Sequence, residues 1–204
     1  PVARDFKRLR AGDQGPNTGG MGAVSAPGLL SDPERCAIGA PIIRPLLDLL
    51  ERRGMPYCGV LYAGLMMSPD GPKVLEFNVR PGDPETQCVV SRIEGNMSDV
   101  LWRCAKGELE KATLQEAPHA TVCLVLAARG YPDHPVTGDE VIGIREAVHA
   151  PGTQVFGAGI ARRDGGMHVT AGGRVLSVVA QAEDIPTARD RAYAAADQIR
   201  FDGQ

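Results

Sequence analysis

Two extended runs, residues 58–67 and 73–80, flank Ser68-Pro69-Asp70-Gly71-Pro72, and this turn-bounded pair constrains the fold more than any other stretch of the chain. Proline presets φ for a turn, and Asp-Gly adds a local hydrogen bond and a residue free to take positive φ, so the runs are predicted to fold back as a hairpin. Along Val74-Leu75-Glu76-Phe77-Asn78-Val79-Arg80 the side chains alternate between faces. Leu75, Phe77 and Val79 are expected to face a core, with Glu76, Asn78 and Arg80 together on the polar side. Same-face neighbours lie ~7 Å apart along a strand and their oxygens can converge further, so a carboxylate and an amide there can hold one hard cation. Mg²⁺ takes one or two protein carboxylates and completes its shell with water and phosphate oxygens. Arg80 would offer a planar fork to a phosphate or carboxylate. The same three residues also suit the wetted face of an ordinary antiparallel strand.

Pro81-Gly82-Asp83-Pro84-Glu85-Thr86-Gln87 follows at once and brings two more carboxylates onto a turn entering a helix, beside the strand's polar end. Asp83 reads equally as the cap of that helix, with Pro84 at its first position. Upstream, residues 12–28 are dense in glycine and lack an apolar period, which predicts a loop. Its unobstructed backbone N–H groups, with Asn17 and Thr18 as side-chain donors, suit an anionic or amino-acid substrate; a plain surface connector has the same composition. It matches neither the G-x-x-x-x-G-K-[ST] phosphate loop nor the G-x-G-x-x-G fingerprint. Lys7 and Arg8, just before it, read as phosphate ligands or as solvated charges.

The other elements follow from spacing and punctuation. Ser31-Asp32-Pro33-Glu34 starts a helix and Gly54 stops it, with Ile42, Ile43, Leu46, Leu47 and Leu50 as its apolar stripe. Pro41 and Pro45 predict a kink, or a short first turn followed by the main helix. Residues 86–93 and 97–105 carry helical spacing, broken at Gly95 and ended at Gly107, and residues 108–118 read as a linker. Beyond it, residues 120–128, 154–156, 167–170 and 174–180 are short β-type runs, and 185–199 is an Ala-rich helix. The expected division is therefore residues 1–116 and a small α+β domain, 117–204.

Composition narrows the functional classes. At 204 residues, 43% hydrophobic and 23% charged, the chain can bury a core, which excludes collagen, coiled coil and wholesale disorder. A net charge of −3, spread evenly, argues against a broad basic nucleic-acid footprint. No apolar run approaches the ~20 residues of a membrane helix. Five cysteines, odd in number and without a C-x-x-C pair, point to a reduced, cytoplasmic compartment. The four histidines are dispersed and lack zinc-site spacing. The opening Pro1-Val2-Ala3-Arg4-Asp5 carries neither Met nor a signal pattern and reads as the start of a fragment.

Four motifs together resemble one family. Asp5-Phe6-Lys7-Arg8, Gly15-Pro16-Asn17-Thr18-Gly19-Gly20-Met21-Gly22, Tyr62-Ala63-Gly64-Leu65-Met66, and the run from Glu76 through Gln87 are similar in order and spacing to the phosphoribosylamine–glycine ligases. These enzymes, also called glycinamide ribonucleotide synthetases, are of the ATP-grasp superfamily. The likeness continues through Arg129-Gly130-Tyr131-Pro132, Val155-Phe156-Gly157-Ala158-Gly159 and Gly172-Gly173-Arg174-Val175-Leu176. The resemblance implies an α+β chain: the carboxy-terminal half of an ATP-grasp fold, an antiparallel sheet with helices, plus a small mixed α/β carboxy-terminal domain. It implies ligation of glycine to 5-phosphoribosylamine in de novo purine biosynthesis, giving glycinamide ribonucleotide, ADP and phosphate through a glycyl phosphate. ATP is the co-substrate and Mg²⁺ or Mn²⁺ the metal. By the same resemblance Glu76 and Asn78 are the metal ligands and Arg80 is catalytic. Asn17, Thr18, Gly19, Gly20, Met21, Asp83 and Glu85 surround the substrates, and Lys7 binds phosphate. A cytoplasmic monomer with no nucleic-acid or membrane partner is expected. The isolated chain should be inactive, because the nucleotide-covering half of such ligases precedes the matched part.

Two departures stand out: Phe6 replaces the family's histidine, so no histidine role carries over, and Pro81 stands where a bulky residue is common. Two other readings compete. One is a different ATP-grasp carboxylate–amine ligase sharing Glu-x-Asn, against which residues 17–22 and 83–87 argue. The other is a non-catalytic binding module retaining the fold, against which the intact Glu76, Asn78 and Arg80 argue.

Overall fold

The computed structural model describes all 204 residues. In chain order the elements are β1 (Arg4–Asp5), β2 (Arg8–Arg10), β3 (Gln14–Asn17), β4 (Gly22–Ser25), α1 (Asp32–Arg52), β5 (Tyr62–Ser68), β6 (Gly71–Asn78), α2 (Glu85–Val90), β7 (Ile93–Glu94), α3 (Met97–Lys106), β8 (Gln115–Glu116), β9 (Ala120–Ala127), α4 (Ile144–His149), β10 (Thr153–Gly157), β11 (Ile160–Arg162), β12 (His168–Thr170), β13 (Arg174–Ala182) and α5 (Ile185–Ala196).

These form two compact units that interleave along the chain. The first comprises Pro1–Ala26, Asp83–Arg92 and Pro118–Gln204; the second comprises Pro27–Gly82 and Ile93–Ala117. One junction lies between Ala117 and Pro118. Two earlier pieces fold with residues 118–204: Pro1–Ala26, because β1 and β4 are strands of their sheet, and Asp83–Arg92, because Cys88 of α2 packs on Cys123 and Val179.

That sheet is antiparallel, in the order β1-β4-β9-β13-β10. Strands β9 and β13 lie at its centre, so side chains on both faces are covered and the runs read as nearly continuous hydrophobics. Val122, Ala180 and Ala182 pack with Ala188 and Ala192 of α5, where small residues let the helix lie close to the sheet. Ala23, Cys123 and Val179 pack with Cys88 of α2. Val175, Leu176, Val178 and Ile199 complete the core towards the end of the chain.

Residues 12–28, expected as a loop, contain β3 and β4. Gly12 and Asp13, at φ +71° and +58°, turn the chain so that β2 and β3 pair, with Arg8 opposite Asn17 and Arg10 opposite Gln14. Gly22 has a packing reason: a Cβ there would stand 2.5 Å from the Cys123 carbonyl oxygen on β9. Glycine at this position lets β4 approach its neighbour, and four residues are too few for a period to show.

In the second unit, α1 runs for 21 residues as one helix through both Pro41 and Pro45. The helix is not divided into a short first turn and a main helix; the prolines sit four apart, on one face, and each removes a single ladder donor. The start is strongly specified: Ser31 Oγ accepts from the Glu34 N–H at 3.4 Å, and Glu34 Oε2 accepts from the Ser31 N–H at 2.7 Å. Ser31→Ala is expected to lower this unit's stability by about 1 kcal/mol, read in a denaturant titration; an unchanged midpoint would show the cap to be idle. The predicted linker carries a 3₁₀ turn, Leu109–Lys111, and the short β8, which pairs with β7. Glu116 of β8 accepts from Arg35 of α1.

The hairpin forms as β5 and β6, closing tightly at Ser68 opposite Gly71. A register shift between Gly64 and Leu65 leaves Leu75 as the extra residue of a bulge. The apolar side is open rather than core: Leu75, Phe77 and Val79 are 58%, 39% and 75% exposed. Two strands alone bury little, and no third strand of the unit pairs with them.

Candidate functional site

The candidate residues fall into two clusters, one in each unit. In the second unit, Gly64 stands opposite Glu76 and Tyr62 opposite Asn78. Glu76 is exposed and Asn78 half-buried, two positions apart on β6 beyond its bulge, so both side chains leave the same face. A Cβ at residue 64 would lie 3.1 Å from Glu76 Cγ and 3.3 Å from the Tyr62 ring. Glycine thus leaves room for the carboxylate's stem beside the tyrosine. A carboxylate and an amide oxygen are hard donors that suit Mg²⁺ or Mn²⁺ and leave most of the coordination shell to water and phosphate oxygens. No group of three or more His, Cys, Asp or Glu side chains is arranged to share a metal. Arg80 departs from expectation: β6 ends at Asn78, and the guanidinium donates to the Pro81 carbonyl at 2.9 Å instead of continuing the strand's polar face.

The first unit brings together most of the remaining candidates. Lys7 sits 2.7 Å from Asp5 Oδ2, while its carbonyl accepts from the Thr18 N–H and hydroxyl, both at 2.8 Å. Thr18 Oγ1 in turn accepts from the Gly20 N–H at 3.0 Å, and Met21 donates to the Phe6 carbonyl at 2.8 Å. Residues 18–21 are thereby tied to residues 6 and 7. Asn17 is exposed at the end of β3. Gly20 is buried at φ +114°, and a Cβ there would meet Pro84 Cδ at 2.5 Å and Asp5 Oδ1 at 2.9 Å.

Asp83 does not cap α2. The residue before that helix is Pro84, and no side chain caps the turn. The Asp83 carboxylate is held at both ends: Oδ1 accepts from Gln87 Nε2 at 2.9 Å and Oδ2 faces Arg174 Nη2 at 3.3 Å. Glu85 is buried on the first turn of α2, and its charge acts on Asp5. Asp5, whose side chain is 9% exposed, has its carboxyl pushed above the ordinary range, chiefly by burial. The nearby Lys7 ammonium opposes that shift and the Glu85 carboxylate adds to it.

Sequence reasoning assigned no role to Asp5, Tyr131 or Arg174, all of which reach this cluster. The signal was present, since each lies in a motif that carries the family resemblance. Nothing local, however, distinguishes residue 174 from any other charge at a strand start.

A two-stranded antiparallel hairpin carrying Glu-x-Asn and an α+β unit with a five-stranded antiparallel sheet are the parts of a chain of the ATP-grasp class. The profile of the phosphoribosylglycinamide synthetase ATP-grasp (A) domain matches residues 1–86, and that of the synthetase's C domain matches residues 121–204. The chain belongs to the phosphoribosylglycinamide synthetase family. It is 43% identical to the phosphoribosylamine–glycine ligase of Caulobacter vibrioides, with 99% of this chain and 47% of that protein aligned. It is 45% identical to the one of Streptomyces coelicolor, with 98% and 49% aligned. The crystal structure of the phosphoribosylamine–glycine ligase from Thermotoga maritima matches with a TM-score of 0.80 at 37% identity, covering all of this chain and 49% of that one. The chain thus spans about half the length of the relatives it matches. No helix is long and apolar enough to cross a membrane.

Proposed function

We propose that this chain supplies the metal strand and the substrate-holding turn of a phosphoribosylamine–glycine ligase acting in the cytoplasm. In that reaction a glycine carboxylate oxygen attacks the γ-phosphorus of ATP, ADP leaves, and the amine nitrogen of phosphoribosylamine displaces phosphate from the glycyl phosphate. The observation that carries the reading is that Glu76, opposite Gly64, and Asn78, opposite Tyr62, leave one face of β6 two positions apart. These two side chains would hold Mg²⁺ or Mn²⁺, which when bound supplies neutralisation of phosphate charge.

The chain's own residues do the rest by position and charge. Arg80, exposed just past the strand, is free to swing its fork from the Pro81 carbonyl onto the phosphoryl oxygens. Asp83, Glu85 and residues 17–21 flank glycine and the phosphoribosylamine; the oriented Asp83 carboxylate suits an ammonium or amine group. Lys7 contributes positive charge at the phosphate end, with its Asp5 ion pair holding it in place. The nucleotide is covered mainly by residues outside this chain, and the enzyme acts as a monomer without nucleic acid.

Two measurements test this. A polypeptide of the relatives' full length carrying this chain should release ADP only when glycine and phosphoribosylamine are both supplied; equal turnover with an unrelated amine would defeat the substrate assignment. The 204-residue chain alone should show no micromolar heat of binding with Mg-ATP by calorimetry, and a clear micromolar isotherm would overturn the division of labour.

A further inference from the structure

Arg174 opens β13, and the register shift between it and Leu176 sets it off from the regular ladder. Bulges of this kind re-aim a side chain. Its guanidinium spans two segments far away in sequence: Nη1 donates to the Gly19 carbonyl at 2.9 Å and the Asp83 carbonyl at 2.8 Å, and Nη2 reaches Asp83 Oδ2 at 3.3 Å. The other side of Gly19 is fixed as well, because its N–H donates to the Tyr131 hydroxyl at 3.0 Å. Tyr131 is itself wedged in place, since a Cβ at Gly173 would stand 2.5 Å from the ring's Cδ2. Gly173 and Arg174, adjacent in the chain, thus set Tyr131 and the guanidinium together, and these two groups take both polar groups of Gly19.

We infer that Arg174 and Tyr131 are positioning residues that fix the spacing between the Gly19-Gly20 turn and the Asp83 carboxylate, and so set the fit for the amino-acid and amine substrates. The inference rests on the substrate reading above. A planar fork is required: three acceptors on two segments lie within reach of two nitrogens of one rigid group, whereas a lysine ammonium on a flexible stem holds no such plane. Gly19 also fits the fork closely, with a Cβ there 3.1 Å from Arg174 Cζ. Neither residue needs to touch substrate. Their effect is on where the turn and the carboxylate stand, and displacements of about 1 Å at such groups can change rates by about 100-fold.

The test is kinetic, in the full-length polypeptide carrying this chain. Arg174→Ala is expected to raise the KM for glycine or for phosphoribosylamine by about tenfold, with the KM for ATP within about twofold of the parent. Tyr131→Phe, which removes only the hydroxyl, should raise the same KM by about threefold, and Arg174→Lys should recover only part of the loss. Unchanged KM values in all three variants, or equal rises for ATP and for the other substrates, would overturn the assignment. Should the parent show no glycine-dependent turnover, the substrate reading fails separately, and amide exchange then decides the positioning claim. Gly19 and Gly20 should exchange at least about tenfold faster in Arg174→Ala, with Val122 and Leu124 unaffected; unaltered protection at the two glycines would sink it.

Discussion

Glu76→Gln, made in the full-length ligase, is expected to cut ligation by about 10³-fold while leaving the fold intact. Glu76 is exposed on a two-stranded hairpin, and its replacement keeps the size and the strand's alternation, so stability should stay within about 0.5 kcal/mol of the parent. What the amide lacks is the negative charge. Asn78 is already neutral, so the variant presents two neutral oxygens to a divalent cation and loses the only formal charge of the pair. Phosphoryl transfer depends almost wholly on placement and charge neutralisation, so the deficit should appear in kcat rather than in the binding of glycine. Raising the Mg²⁺ concentration should restore part of the activity by mass action. Full turnover in Glu76→Gln at ordinary Mg²⁺ would remove the Glu76 carboxylate from the mechanism and overturn the metal-strand reading.

The parts of the fold legible in the sequence are those written in local chemistry. Ser31 with Glu34, and Gly107, mark helix ends because their side chains or their conformational freedom satisfy the terminal backbone groups directly. The hairpin was legible because Pro69, Asp70 and Gly71 encode its turn. What stayed hidden was set by distant partners. Strand β4 is four residues long, and its place in the sheet depends on β1 and β9, so the first 26 residues could not be assigned to the carboxy-terminal unit from spacing. Alternation along residues 74–80 could not say that Leu75, Phe77 and Val79 are left uncovered, nor that a bulge falls at Leu75 and the strand ends at Asn78. In the candidate site, Glu76 and Asn78 were readable because a strand's period places them. Gly19, Asp83, Tyr131 and Arg174 are joined by side-chain hydrogen bonds that span as many as 155 and 112 positions of chain, which no window of sequence contains.

Gly20→Ala should cost the first unit about 3 kcal/mol of stability, measured by chemical denaturation. Two terms add. A φ of +114° is unfavourable for any residue with a Cβ, by an amount on the order of 1–3 kcal/mol. The new methyl would also lie 2.5 Å from Pro84 Cδ and 2.9 Å from Asp5 Oδ1, distances at which something must move. Neither neighbour yields easily: Pro84 is a buried ring, and Asp5 is buried against Lys7. The readier response is for the turn to shift, which would draw Gly19 away from Tyr131 and Arg174 and carry the substrate-holding groups with it. Gly12→Ala separates the two terms, because Gly12 also has positive φ, +71°, while its Cβ would have nothing nearer than 4.0 Å. Gly20→Ala should therefore cost clearly more stability than Gly12→Ala and, in the full-length ligase, depress glycine-dependent turnover far more. Equal costs for the two substitutions would mean that the backbone does not press against Pro84 and Asp5, and that the turn is not pinned where the substrate reading needs it.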